Sequence, residues 1–164
     1  MPKKKVLNEV KVEKEEILEG KIVDFIDGRL RTDNDIERIR QDFERTLIEE
    51  YRYDREDIGV DVRVKIHDGS RLVNKKASLV IYRPGSEKKN DEFIYIVIQI
   101  AKPSSQPSDS SNGAGDLERI LIECSNAEFG CWTNGIETIY FQKKRKRNAA
   151  LFLKLHPSQK FKLP

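Results

Sequence analysis

A chain of 164 residues is long enough for one domain built around a single core, with no room for a second. Charged residues make up 36% of it while the net charge is only +3, so we expect a heavily ionised surface, and charge alone does not indicate nucleic-acid binding. No apolar run approaches a membrane span, and Glu and Lys follow the basic start where a secretory signal would be apolar. These features predict a cytoplasmic protein with no membrane partner.

The two cysteines, Cys124 and Cys131, fall on a predicted helix and a predicted strand. Two thiols without a regular spacing are typical of reduced core residues in a cytosolic protein, and a disulfide between them is the minor alternative. His67 and His156 have no Cys or His companion at ligand spacing, so zinc is not expected.

The clearest helix begins after Asn34, which is expected to cap the free amides, with Glu37 in the capping-box position. It should end near residues 51–53. It follows a charged N-terminal extension, residues 1–21, and a short apolar run at residues 22–26, which Asp27-Gly28 should end as a turn. Apolar residues at helical spacing predict its buried stripe: Ile36, Ile39, Phe43, Leu47 and Tyr51.

Three strands are predicted after this helix. Residues 60–66 alternate between apolar and polar side chains, as in a strand with one wet face. Residues 76–82 and 93–101 are apolar and β-rich, and the latter run is expected at the centre of the sheet, buried on both faces.

Polar positions near the ends of the two central strands should meet. Residues two apart on a strand share a face, so Gln99 and Ala101 are expected to point the same way and Lys102 the other. Ser78 lies on the neighbouring strand and should sit beside Gln99.

The second half of the chain contains a further helix and a hairpin. Residues 103–115 are Ser, Pro, Asp, Asn and Gly and predict a mobile loop. Residues 116–124 have apolar side chains at helical spacing. The Asn134-Gly135 pair between strand-like runs at 129–133 and 136–141 favours a type I′ turn, which needs positive φ at both central residues.

The order of these motifs resembles one known family. Ser78, Gln99 and Ala101 on the central strands, Glu37-Arg38-Ile39-Arg40-Gln41 upstream and Thr133-Asn134-Gly135 downstream are similar to the N-terminal nuclease domain of type I restriction enzyme R subunits. That domain belongs to the PD-(D/E)xK superfamily, and the resemblance runs over about residues 22–142.

The resemblance implies an α/β restriction-endonuclease-like fold, a mixed sheet flanked by helices with the core order α, β, β, β, α, β, β. It also implies Mg²⁺-dependent DNA cleavage and restriction-modification subunits as partners. R subunits continue into an ATP-driven motor that this sequence lacks, so DNA translocation is not expected of this chain alone.

The chain departs from the family where the chemistry should be. The family pattern has aspartate, glutamate and lysine where Ser78, Gln99 and Ala101 stand, and its Q-x-x-x-Y pattern falls on Asp116 and Ile120. A hydroxyl and an amide supply none of the negative charge that Mg²⁺ needs, and alanine cannot orient a water. Five departures confined to the implied site predict an inactive domain with no metal cofactor.

Other carboxylates offer an alternative in which the site has moved. Asp61, Asp116 and Glu92 could rebuild a metal site, although each is favoured as a solvated surface charge. Glu37 and Arg40 match the family's helix motif, and an exposed i, i+3 ion pair is favoured over a functional role.

The basic run Lys143-Lys144-Arg145-Lys146-Arg147 opens a predicted basic tail, residues 143–164. Phosphate contact and a solvated strand end are equally favoured for it, and nuclear targeting is a third alternative. The predicted function is therefore weak, non-specific binding of double-stranded DNA without cleavage, in which Lys102 and this run contact phosphates. The rivals are an active Mg²⁺-dependent endonuclease with relocated carboxylates and a protein-interaction module that has lost DNA binding.

Overall fold

The computed structural model of the protein describes residues 19–87, 89–146 and 149–155. The predicted N-terminal extension and the end of the predicted tail therefore lie mostly outside the described residues. The described part opens with a short antiparallel ribbon of β1 (Lys21–Val23) and β2 (Leu30–Thr32).

Only the first two residues of the apolar run at 22–26 lie in β1. After β1 the Asp24 carboxylate accepts the backbone amides of Ile26 and Asp27, both at 2.9 Å. This side-chain turn ends the strand and buries Asp24, which is 2% exposed.

The remaining elements are two helices, six strands and two short 3₁₀ turns. They are α1 (Asp35–Glu49), a 3₁₀ turn (Arg55–Asp57), β3 (Ile58–Asp68), β4 (Arg71–Tyr82), a 3₁₀ turn (Asp91–Phe93), β5 (Ile94–Ile100), α2 (Ala114–Glu123), β6 (Phe129–Thr133), β7 (Thr138–Lys146) and β8 (Ala149–Leu155).

Strands β3 to β8 form one mixed sheet in which spatial order follows sequence order. Neighbouring pairs are antiparallel except β5 and β6, which are parallel and connected through α2. A parallel pair needs such a crossover, because its second strand must start at the same end as the first. The predicted α/β class and the predicted order of elements are confirmed.

The centre of the sheet is β5, whose residues are all buried, as predicted. One face, the α2 face, packs against Leu117, Ile120 and Leu121 of α2. The opposite α1 face packs against Leu47. On β6, Gly130 allows α2 to lie close to the sheet, because a Cβ there would be 2.5 Å from Cδ1 of Leu121.

Helix α1 buries a polar stripe that differs from the predicted apolar one. Asn34 caps it as predicted, accepting the Glu37 amide at 3.0 Å, but the helix ends at Glu49, earlier than expected. Within the predicted stripe only Leu47 is fully buried, and Ile36 is 39% exposed. The other buried positions of the helix are Glu37, Arg40, Gln41 and Glu44.

The predicted type I′ turn between β6 and β7 is wrong. The strand pairing leaves residues 134–137 in the loop, and of the Asn-Gly pair only Gly135 has a positive φ, at 84°. The Asn134 side-chain oxygen accepts two backbone amides of the loop, at 2.9 and 2.7 Å, and its Nδ2 donates to the Ser105 carbonyl at 2.9 Å. The asparagine thus shapes the turn through its side chain.

The polar loop before α2, predicted to be mobile, is hydrogen-bonded at several points. The Trp132 indole donates to the Asn112 carbonyl at 2.9 Å, and the Asn112 amide donates to Asp116 at 2.9 Å. The Ala114 amide donates to the Pro107 carbonyl at 2.8 Å. These bonds fasten the loop to β6 and α2.

Where the structure describes the region predicted as a basic tail, it extends the sheet. β7 continues to Lys146, so the boundary expected at residue 143 falls inside a strand. β8 then pairs antiparallel with β7. The paired residues run from Lys146 opposite Ala149 to Tyr140 opposite Leu155.

Both cysteines are buried free thiols on opposite faces of the sheet, as predicted for core residues. Burial raises the pKa of Cys124 to about 12. Across the three described ranges, no helix has both the length and the apolar character to cross a bilayer.

Candidate active-site cavity

A cavity of about 340 Å³, which we call the strand-end cavity, opens at the end of β5. Its walls come from the start of α1, from β3 and β4, and from the chain after β5. The lining residues are Asn34, Ile36, Glu37, Arg40, Asp61, Lys76, Ser78, Gln99, Ile100, Ala101, Lys102 and Asn112. The structure thus brings Ser78, Gln99 and Ala101 together, as the alternation of side chains along a strand predicted. Their role as the family's catalytic positions stays a prediction.

All three of these positions are uncharged, and two are engaged by the backbone. The Ser78 hydroxyl accepts the Ile100 amide at 3.0 Å. Ala101 is 2% exposed and donates its amide to the Thr133 carbonyl at 2.8 Å. Gln99 is 9% exposed, and its Oε1 is buried with no hydrogen-bond partner in the described part of the chain.

Lys102 does not point away from Ala101, as the alternation of side chains along a strand had predicted. β5 ends at Ile100, so the alternation of faces does not extend to this lysine, and it lines the same cavity as Ala101. Lys102 is exposed, and its side chain makes no hydrogen bond or ion pair with any described residue, while its backbone carbonyl accepts the Ser105 amide at 2.9 Å. It therefore brings an unshared positive charge to the strand-end cavity.

A distortion of β3 shapes the opposite wall. Asp61 has a φ of 52°, in the left-handed region that residues other than glycine seldom occupy. The ladder pairs on either side leave it opposite Ser78 on β4. The strand changes face here, since Val60 packs on the α1 face and Val62 on the α2 face.

The carboxylates of the cavity belong to a buried ionic network centred on Arg40. This arginine is 2% exposed, and its Nη2 contacts Asp24 Oδ2 at 2.8 Å and Glu37 Oε1. The Gln41 amide also donates to Glu37, at 3.1 Å. The predicted exposed pair of Glu37 and Arg40 is wrong, because Asp24, in the turn after β1, meets this side of α1 and buries both groups.

Arg31 joins this network to the wall of the cavity. Its Nε donates to Asp24 Oδ2 at 2.8 Å and its Nη1 to Asp61 Oδ2 at 2.6 Å. Lys76 Nζ lies 3.3 Å from the other oxygen of Asp61. Both carboxylates that line the cavity, Glu37 and Asp61, are therefore paired with cations.

Glu44 extends the network into the protein interior. It is fully buried, neither carboxyl oxygen has a hydrogen-bond partner among the described residues, and Arg40 Nη1 lies 3.9 Å from Oε1. Burial, followed by the negative charge of Asp24, raises the pKa of Glu44 to about 8. The carboxyl is therefore mostly protonated at neutral pH.

Asp24, Arg31 and Glu44 were not predicted to belong to the site, although two of them left a signal in the sequence. Asp24 interrupts an otherwise apolar run, residues 22–26. Glu44 completes a polar series at the i, i+3, i+4 and i+7 spacing of one helix face: Glu37, Arg40, Gln41 and Glu44.

The carboxylates considered as replacements do not assemble a metal site. Asp116 lies outside the cavity lining, in the first turn of α2, where it accepts Lys75 Nζ at 3.2 Å. Glu92 is exposed. In the described part of the chain, no group of three or more His, Cys, Asp or Glu side chains is arranged to hold a metal. A bonded hydroxyl, a neutral amide and two paired carboxylates do not fit Mg²⁺, which prefers unshared carboxylate oxygens.

The basic run is not uniformly solvated. Lys143 is 9% exposed, and its Nζ donates to the carbonyls of Leu121 and Cys124, at the end of α2, at 2.6 and 2.7 Å. The expectation that Lys143 is free for phosphate is therefore corrected. Lys144 and Arg145 are exposed and alternate between the two faces of β7. The Lys146 side chain and Arg147 lie outside what the structure describes.

The mixed sheet flanked by two helices, with a polar cavity at the end of its central strand, defines an α/β restriction-endonuclease-like domain. Residues 35–157 match the family described as type I restriction enzyme R protein N terminus (HSDR_N). The chain belongs to this family. No curated protein and no solved structure matches it. The matched region includes α1 and both central strands, which carry most of the strand-end cavity.

Proposed function

We propose that this domain binds duplex DNA without cleaving it, as a nuclease-fold domain of a type I restriction enzyme whose catalytic set has been replaced. The observation that supports the proposal is the neutrality of Ser78, Gln99 and Ala101 in the strand-end cavity. A PD-(D/E)xK nuclease holds its metal between carboxylates and places a lysine beside the attacking water. The same proposal includes a cytoplasmic location and restriction-modification subunits as partners.

The charges that remain favour an anion in the strand-end cavity. Three cations line it, Arg40, Lys76 and Lys102, against the two carboxylates of Glu37 and Asp61. Lys76 is 63% exposed and Lys102 is unpaired among the described residues, so both can reach a DNA phosphate. Phosphate contacts carry no sequence information, and binding through them is non-specific.

Duplex binding measured by fluorescence anisotropy over a range of NaCl concentrations tests the binding half. Weak, strongly salt-dependent affinity is expected for the parent. Replacing Lys76 and Lys102 together with Gln should flatten the slope of log affinity against log salt by about 2, because each phosphate contact contributes roughly 0.9. The matched control replaces two exposed strand lysines away from the cavity, Lys65 and Lys154, with Gln.

Two results would count against that half. A parent that binds no duplex, or binds weakly with no response to salt, would favour a protein-interaction module. Equal slopes for the cavity and control variants would remove the strand-end cavity from the DNA interface.

Plasmid nicking with Mg²⁺ and with Mn²⁺ tests the catalytic half. The parent should be inactive, while Ser78→Asp, Gln99→Glu and Ala101→Lys combined should create metal-dependent cleavage. Each single change should do little, because members of a catalytic unit act non-additively. A parent that nicks DNA and loses that activity on Asp61→Asn or Asp116→Asn would instead show a site with relocated carboxylates.

A further inference from the structure

A second cavity, of about 360 Å³, lies at the other end of the sheet, where α2 leads into β6. We call it the helix-end cavity. The turn Ser125–Glu128 forms one side, and three cations, Arg83, Lys143 and Arg145, form the rest. None of its lining residues belongs to the strand-end cavity.

The cations from β7 are fixed by the carbonyls at the end of α2. Lys143 directs Nζ at the carbonyls of Leu121, Cys124 and Ser125, at 2.6, 2.7 and 3.4 Å. Arg145 donates Nη2 to the Ser125 carbonyl. These oxygens carry only the partial negative charge of a helix end, so they orient the cations without neutralising them.

Arg83 reaches the same turn from the end of β4. Its Nη2 donates to the Asn126 carbonyl at 3.1 Å and to Glu128 Oε1 at 2.8 Å. Its guanidinium carbon lies 4.7 Å from the centre of the Tyr95 ring, so the plane of the group is held against an aromatic face. The remaining N–H groups of Arg83 are left for a ligand.

The helix-end cavity has an excess of positive charge. Among the described residues that line it, Glu128 is the one carboxylate, and its side chain is 50% exposed, so it balances only part of three cations. Burial and then the proximity of Arg145 lower the pKa of Lys143, which is the response of a cation held next to another cation. A bound anion would relieve this repulsion.

We propose that the helix-end cavity binds a phosphate group through Arg83 and Arg145. Arginine presents a planar pair of N–H donors that matches two phosphate oxygens, and here the two guanidinium groups are anchored to one turn. Ser125 is exposed and lines the same cavity, so its hydroxyl is a further donor for the phosphate. The phosphate belongs either to a nucleic-acid backbone or to a small phosphorylated compound. This proposal does not rest on the proposed function, since inorganic phosphate alone tests it.

The test is titration of the full chain with inorganic phosphate by calorimetry, with thermal unfolding in phosphate and chloride buffers of equal ionic strength. Phosphate should bind and raise the Tm above its value in chloride. Replacing Arg83 and Arg145 together with Lys should raise the phosphate Kd by about tenfold or more, because lysine keeps the charge and loses the bidentate geometry. Arg119→Lys is the matched control, a half-exposed arginine of α2 paired with Asp68 at 3.1 Å.

A second variant tests the proposal if the variant with Lys at positions 83 and 145, called the double lysine variant, folds poorly. Glu128→Gln removes the opposing carboxylate and should tighten phosphate binding several-fold. Equal Tm values for the parent in the two buffers, a parent-like Kd in the double lysine variant, or unchanged affinity in Glu128→Gln would each overturn the proposal.

A short DNA duplex identifies the source of the phosphate. If the ligand is a nucleic-acid backbone, the double lysine variant loses duplex affinity and free phosphate competes with the duplex. If duplex affinity is unchanged while phosphate affinity falls, the ligand is a small phosphorylated compound. Duplex binding that depends on Lys76 and Lys102 alone supports the proposed function separately.

Discussion

The two ends of the sheet hold their cations with different partners. At the strand-end cavity, Arg40 is paired with Asp24 and Glu37, and Arg31 with Asp24 and Asp61. At the helix-end cavity, Lys143 and Arg145 are held chiefly by backbone carbonyls, and one exposed carboxylate faces Arg83.

The difference shows how a fold can hold charge rigidly without cancelling it. A carboxylate partner neutralises a cation and makes the pair interdependent, because removing one member leaves the other buried and unpaired. A carbonyl partner is neutral, so removing its cation leaves no unpaired charge in the protein interior. We therefore expect the strand-end cavity to be the more important for stability, and the helix-end cavity to keep its positive charge available for a ligand.

Loss of the central cation should give the largest effect. Arg40→Met keeps much of the side-chain volume but leaves Asp24 and Glu37 without their shared partner, so we expect a loss of about 3 to 5 kcal/mol in the free energy of unfolding. Urea denaturation measures it. Arg38→Met is the control, since Arg38 is 63% exposed and pairs with Asp33 at 2.7 Å, a surface contact that is expected to add little to stability. Similar losses for both variants would show that burial gives the network no special weight.

Glu44 makes the strand-end network sensitive to pH. Its folded pKa of about 8 lies above the ordinary 4.5, so the folded state binds the extra proton, and this contribution is complete below pH 4.5 and lost as pH rises through 8. Glu44→Gln should therefore match the parent near pH 5 and be more stable by about 3 kcal/mol near pH 9. Urea denaturation at both pH values checks this. Parallel stability profiles would mean that Glu44 titrates normally.

At the other end of the sheet the expected effect is smaller. Lys143→Met removes charged donors from the carbonyls of Leu121 and Cys124 but strands no buried carboxylate, so a loss of about 2 kcal/mol is expected. Lys144→Met, at an exposed neighbouring position, should change stability by about 0.5 kcal/mol at most. If Lys143→Met lowers the free energy of unfolding as much as Arg40→Met does, a cation paired with carbonyls is as important for stability as one paired with carboxylates.

The smallest loss of stability is expected at the start of α1, which forms part of the wall of the strand-end cavity. Asn34→Ala removes the cap of α1 and should cost about 1 kcal/mol, while Asn34→Gly should cost only a few tenths of that. Thermal unfolding followed by circular dichroism separates the two variants. Indistinguishable Tm values for both variants and the parent would show that the cap is dispensable for α1.

Local patterns in the sequence predicted elements whose formation depends on near neighbours. The Asn34 cap, the alternating strand β3, the buried strand β5 and the helix α2 all follow from spacing and side-chain type. The proximity of Ser78 and Gln99 could also be predicted, because parity and strand order fix it once the two strands pair.

Other features could not be predicted from local patterns, because they depend on groups that are distant in the chain. Asn134 lacks the positive φ that the Asn-Gly pair suggested, and its side chain donates to the carbonyl of Ser105, 29 residues earlier in the chain. Lys143 belongs to a basic run that resembles a solvated tail, and only the carbonyls of α2 explain why it is buried.

The sequence by itself determined the class of fold, the family and the three neutral positions of the strand-end cavity, since each rests on residue type and order. Only the tertiary structure decided how charge is distributed. Asp24, Arg40 and Asp61 come from a turn, a helix and a strand, and their pairing depends on packing that no local pattern encodes. The environment of an ionisable group is set by what surrounds it in space, which is why Glu44 is buried and protonated although its sequence neighbours resemble those of a solvated helix.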